Sequence, residues 1–164
     1  MPRFIEKIRV PVRLARIGAP PWVGCLSLMP LAELHEGPET LLERLNASAR
    51  ILPLELGDDE GVLLVTRLHI QWVEAGPEVE ERLVRVAPYM ATREEHVRLS
   101  MTGGESFEGI LAMEMPNEFN RASDFLNGPD DFFALRTATG TRLVHKACVV
   151  DVQVRNALAA PRAA

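Results

Sequence analysis

Apolar and polar residues alternate with a period of two along much of this chain. Ile8, Val10, Val12 and Leu14 alternate with Arg9, Pro11 and Arg13, and Trp22, Gly24, Leu26 and Leu28 resume the pattern after the segment IGAPPW. Farther on, Val97, Leu99 and Met101, then Phe107, Gly109, Leu111, Met113 and Met115, keep the same period on either side of Gly103-Gly104. A period of two lays one face of a strand against a core, and a glycine pair supplies a tight turn, so two hairpins are predicted. Pro11 lacks an amide proton, which places its strand at an edge or a bulge. The later runs ARILPLEL and GVLLVTRLHIQWVEA, and then DDFFALRT and TRLVHKACVVDVQV, are rich in β-branched and aromatic residues and broken at GDDEG and ATG. They read as further strands.

Between hairpin and later strands the period changes to that of a helix. Phe119, Ala122, Phe125 and Leu126 recur at helical spacing before the stop signal Asn127-Gly128-Pro129, and Leu41, Leu42 and Leu45 do so between Pro38 and Asn46. The order strand, strand, short helix, then two or three strands therefore occurs twice. The matched pairs Gly24 and Gly109, Leu45 and Leu126, and Leu64 and Leu143 draw slowly closer along the chain, as short insertions and deletions in loops would make them. The expected fold is mainly β with short helices (α+β): tandem duplicated small β-barrel-like units related by a pseudo-twofold. Residues 1–75 form the first repeat, 76–95 a connector, 96–155 the second repeat and 156–164 a disordered tail. The connector GPEVEERLVRVAPYMATREEH fits a helix or a charged-face strand equally well.

Composition narrows the class. With 164 residues, 47% of them apolar, the chain can bury a core, and a net charge of −5 disfavours a general nucleic-acid binder, whose phosphate contacts need clustered Lys and Arg. The two cysteines, Cys25 and Cys148, form no C-x-x-C pair, which speaks against a disulfide framework or structural zinc and points to a reducing cytoplasm. No stretch approaches the roughly 18 apolar residues of a membrane span.

Catalytic chemistry finds little support. His35, His69, His96 and His145 show no metal-ligand spacing, so no metal and no cofactor is expected. Gly103-Gly104 is neither a P-loop nor a dinucleotide fingerprint. Ser123 and Asp124 adjoin on a helix and cannot orient one imidazole between them, which argues against a triad with His145. They fit better as a helix-terminal pair, with Asp124 capping amides or pairing with Arg121. Asp58-Asp59-Glu60 and Asp130-Asp131 fit solvated turns. Cys148 follows Lys146 by two residues, on one face if the strand period holds, where a cation would favour a thiolate.

The segment RASDFLNGPDDFFALRTATGTRLVHKACVVDV resembles a poorly characterised bacterial domain family with an R-x-S-D-F-L-N helix, an F-F-x-L strand and a terminal L-V-x-K strand. Arg121, Ser123, Asp124, Phe125, Leu126, Asn127, Phe133, Leu135 and Lys146 carry the pattern. The first repeat keeps only Leu45, Asn46 and the strand framework. More distantly, a bent five-stranded unit with glycines at Gly104 and Gly109 is similar to Sm-like and SH3-like small barrels. Neither resemblance implies an activity.

The functional expectation is a non-enzymatic protein-interaction or regulatory adaptor module, with another protein as partner, room for a homo-oligomer, and neither nucleic acid nor membrane as a target. One alternative is a sensor binding a small anionic ligand or nucleotide near the second-repeat helix. A second is an Sm-like nucleic-acid binder. Candidate binding residues are Arg121, Asp124, Arg142 and Lys146, with Trp72 exposed near a strand end.

Overall fold

Each alternating run becomes a strand. The computed structural model describes residues 5–88, 93–114 and 121–155. The first half comprises the hairpin β1 (Ile8–Arg16) and β2 (Ala19–Leu28), the helix α1 (Leu41–Asn46), then β3 (Ile51–Glu55), β4 (Val62–Thr66) and β5 (Ile70–Ala75). A helical turn α2 (Glu81–Val84) follows. The second half repeats the order with β6 (Arg93–Met101), β7 (Ser106–Met113), α3 (Ala122–Leu126), β8 (Phe132–Thr137), β9 (Gly140–His145) and β10 (Val149–Arg155). The two long runs predicted as strands are each broken by a 3-10 turn, Arg67–His69 and Lys146–Cys148. No helix among the described residues is long and apolar enough to cross a membrane.

The ten strands form one sheet, antiparallel at every pairing, in the order β10-β6-β7-β8-β9-β5-β1-β2-β3-β4. In each half the fifth strand is followed by the first, second, third and fourth, and the registers agree as well. Val12 pairs with Gly24 as Val97 pairs with Gly109. Leu52 pairs with Val65 as Phe133 pairs with Val144. Leu14 pairs with Val73 as Leu99 pairs with Val152, and both of those ladders slip once near the 3-10 turn.

Two glycines explain how the third strand crosses the second. A Cβ on Gly24 would lie 2.5 Å from the Glu55 carbonyl oxygen and 2.9 Å from Leu54 Cγ. On Gly109 it would lie 2.7 Å from the Arg136 carbonyl oxygen and 2.6 Å from Leu135 Cγ. Only a residue without a side chain lets the backbones approach so closely.

The halves join where β5 pairs with β9, matching Trp72 to Val144, Val73 to Leu143 and Glu74 to Arg142. This corrects the expected pseudo-twofold. A twofold would pair equivalent strands, whereas here the fifth strand of one half meets the fourth of the other, a head-to-tail joint. The joint strands face two cores. Val73 and Leu143 point into a first core with Val12, Leu14, Leu26 and Leu54, joined there by Phe132 and Ala134 from β8. Trp72 and Val144 point into a second core with Val97, Leu99, Leu111 and Leu135. The halves thus exchange apolar side chains.

Pro11 does not mark an edge, because β1 lies between β5 and β2. The carbonyl of Pro11 accepts from the Gly76 amide at 2.9 Å, just beyond the end of the β5 ladder. Its missing amide points to that same side, where no further ladder bond is required. The connector is helical at Glu81–Val84, and β6 starts at Arg93, within the span expected as connector. Met115, Phe119 and the tail 156–164 lie outside the described residues.

Candidate interaction surface

Arg142 and Trp72 belong to the joint. The Arg142 guanidinium lies 3.8 Å from the centre of the Trp72 ring and 4.6 Å from that of Phe107, and donates to Glu74 Oε2 at 3.2 and 3.0 Å. Trp72 Nε1 donates to Glu105 Oε2 at 3.2 Å. Contrary to the expectation of an exposed tryptophan, Trp72 is buried, because the second half covers the strand end that carries it. Stacking and a paired carboxylate make this group a clamp between the halves.

The other candidates stay separate. Arg121 Nε donates to Asp124 Oδ2 at 2.9 Å across the first turn of α3, on the surface, so Asp124 pairs with Arg121. Lys146 Nζ donates to the Gly128 carbonyl at 3.2 Å. Burial lowers the pKa of Lys146, and Asp130 and Asp131 act against that shift. It lines a cleft of about 380 Å³ with Phe125, Phe133 and Arg85. Among the described residues no contact joins Arg121, Arg142 and Lys146 into one anion site. Asp131, expected in a solvated turn, accepts from Arg67 Nη1 at 2.6 Å across the joint.

His145 and Cys148 are also structural. Desolvation lowers the His145 pKa, and its Nδ1 lies 2.9 Å from the Ile70 carbonyl oxygen. A carbonyl only accepts, so Nδ1 carries the proton and the neutral ring stacks on Phe132 at 4.5 Å. His69 is exposed, so the two imidazoles do not form a pair. Cys148 is buried and its thiol pKa is pushed up by burial. The 3-10 turn breaks the strand period between Lys146 and Cys148, which removes the basis for a cation-activated thiol. No group of three His, Cys, Asp or Glu side chains placed to hold a metal ion occurs among the described residues.

With these groups engaged internally, the two ends of the sheet stand out. Among the described residues, β4 pairs only with β3, and β10 only with β6. Val62 and Leu64 on β4, and Val150 and Val154 on β10, are exposed. Soluble proteins ordinarily blunt such edges with charge, bulges or covering elements, and β4, reading VLLVT, carries no charge. The uncharged run VLLVT is legible in the sequence, but nothing local marks which strands lie at the ends. A capping box opens α1: Thr40 Oγ1 accepts from the Glu43 amide at 3.2 Å, and Glu43 Oε1 accepts from the Thr40 amide at 3.0 Å. No protein-family model matches the chain, and neither curated proteins nor solved structures include a detectable match.

Proposed function

We propose that the protein is a non-enzymatic interaction module, an adaptor made of two tandem copies of one small barrel-like unit, which binds protein partners through its open strand edges. The repeated strand order, matching registers and equivalent crossing glycines support the duplication. The observation that carries the function is the pair of sheet edges that no further strand covers among the described residues, β4 without any charge and β10 with Val150 and Val154 exposed beside Asp151 and Arg155. An edge strand offers a row of main-chain donors and acceptors, and its exposed side chains add selectivity, which is the physics of strand addition.

A sensor for a small anion fits less well, since Arg142 and Arg121 are each engaged by a carboxylate, while Lys146 lines a cleft apart from them. Cross-linking with mass spectrometry on the full chain, purified from its own cell extract, tests the proposal. Cross-links are expected beside β4 and β10, and Leu64→Lys or Val150→Lys removes those at the altered edge without lowering the melting temperature. Cross-links gathered around Lys146 instead, or a rise in melting temperature with inorganic phosphate, ATP or a short RNA, overturn the reading.

A further inference from the structure

The joint within the chain shows what each open edge is shaped to meet. β9 is the fourth strand of its half and is covered by β5; β4 is the fourth strand of the other half and, among the described residues, is covered by no strand. Matching the two ladders puts Leu64 at the place of Leu143 and Ile51 at the place of Phe132. Leu143 and Phe132 are each 1% exposed, whereas Leu64 is 67% and Ile51 46% exposed.

The receiving side repeats as well. Phe132 shares the first core with Leu45, Ile70 and Val73, and Asn46 holds its backbone, accepting from the Phe132 amide at 2.8 Å and donating to its carbonyl at 3.2 Å. The matching residues of the second half, Leu126, Val149 and Val152, line an open groove of about 230 Å³ between α3 and β10, and Asn127, which matches Asn46, is exposed. A further pair has changed in step. Gln71, buried at the joint, donates its side-chain amide to the Thr102 carbonyl; the equivalents are Val150 on β10 and Ile17 in the turn between β1 and β2, both exposed and both apolar.

We propose that copies of this chain join head to tail, β4 of one copy extending the sheet onto β10 of the next, with Ile51 seated in the groove between α3 and β10. The proposal rests on reading β4 and β10 as interaction edges and names a second copy as their partner. The contact is heterologous, so it yields a ring where the rotation closes and a filament where it does not. Two features of the joint are not repeated: Asp151, Gln153 and Leu63 stand at the places of Trp72, Glu74 and Arg142, so the clamp has no counterpart at the open ends, and an ion pair is lost. The Arg67–Asp131 ion pair, 2.6 Å long, is replaced by Lys146 facing Arg50, a like-charge contact that weakens association.

Light scattering on gel-filtered full chain, over a range of concentrations from micromolar upward, tests this. The expected mass is a multiple of 18.2 kDa, reaching a plateau for a ring or rising with concentration for a filament. Leu64→Lys and Val150→Lys each give monomers with unchanged melting, since both positions are exposed. An equimolar mixture of these two variants gives a dimer and nothing larger, because one intact β4 edge meets one intact β10 edge. A β4-to-β4 contact would instead leave Val150→Lys dimeric. Arg50→Asp restores an ion pair with Lys146 and tightens association severalfold. A monomeric wild type, assembly that survives either lysine, a mixture that stays monomeric, or weaker association of Arg50→Asp overturns the inference. A monomeric wild type whose edge cross-links to other proteins vanish with either lysine would sink self-assembly alone and leave the adaptor reading standing.

Discussion

Replacing Gly109 with alanine isolates the crossing of β8 over β7. The added methyl would lie 2.6 Å from Leu135 Cγ and 2.7 Å from the Arg136 carbonyl oxygen, against ordinary contacts that begin at 3.4 Å. Neither neighbour is the far end of a flexible side chain, so strand β8 itself has to move by several tenths of an ångström. Such overpacking costs about 1–3 kcal/mol, offset by the roughly 0.4–1 kcal/mol that alanine contributes by restricting the unfolded chain. The net is a loss of about 1–2 kcal/mol, which lowers the melting temperature of a chain of this size by about 2–8 °C. Gly24→Ala shifts it in the same direction, since its methyl would meet the Glu55 carbonyl oxygen at 2.5 Å. Gly57 is the control: its added methyl meets nothing within 4 Å and its φ is not in the left-handed region, so Gly57→Ala raises the melting temperature slightly. Thermal melts followed by circular dichroism at one fixed protein concentration read all three. If Gly109→Ala melts at or above the wild type while Gly57→Ala behaves as expected, the close crossing is wrong.

Asn46→Ala removes both side-chain bonds to the Phe132 backbone and is expected to cost about 1–3 kcal/mol in urea unfolding, a loss that an ordinary surface asparagine would not show. Burial holds the folded pKa of His145 below its unfolded value near 6.5, so the unfolded state binds the proton first as pH falls. The stability that His145 contributes is complete above about pH 6.5 and is lost as pH falls through the lowered folded value; His145→Gln flattens that part of the stability-against-pH curve. The opposite sign applies at His35, whose pKa is raised chiefly by its hydrogen bond to Glu43 at 2.6 Å. Its contribution is present below about pH 6.5 and fades as pH rises through the raised value, a slope that His35→Ala removes. Cys148 is expected to resist a disulfide exchange reagent in the native protein and to react only on unfolding, while the half-buried Cys25 reacts slowly; rapid native labelling at Cys148 would contradict its buried setting.

Local order was legible from the residues because it depends on neighbours in the chain. The alternation at Val97, Leu99 and Met101 specifies a strand with one buried face, and Gly103 and Gly104, at φ +99° and +96°, supply the turn after it. The repeated strand, strand, helix order could be read for the same reason, as could the α1 leucines and the Asn46 that ends the helix. Which strand meets which depends on contacts between residues far apart in sequence. Tertiary structure alone decided that β5 pairs with β9, that Trp72 is buried under the second half, that Arg142 clamps the joint rather than facing a ligand, and that Pro11 lies inside the sheet. The physical reason is that an apolar strand face specifies burial without specifying its cover. Leu64 and Leu143 are the same residue on equivalent strands, and only the placement of β5 beside one of them makes it core and leaves the other at the surface.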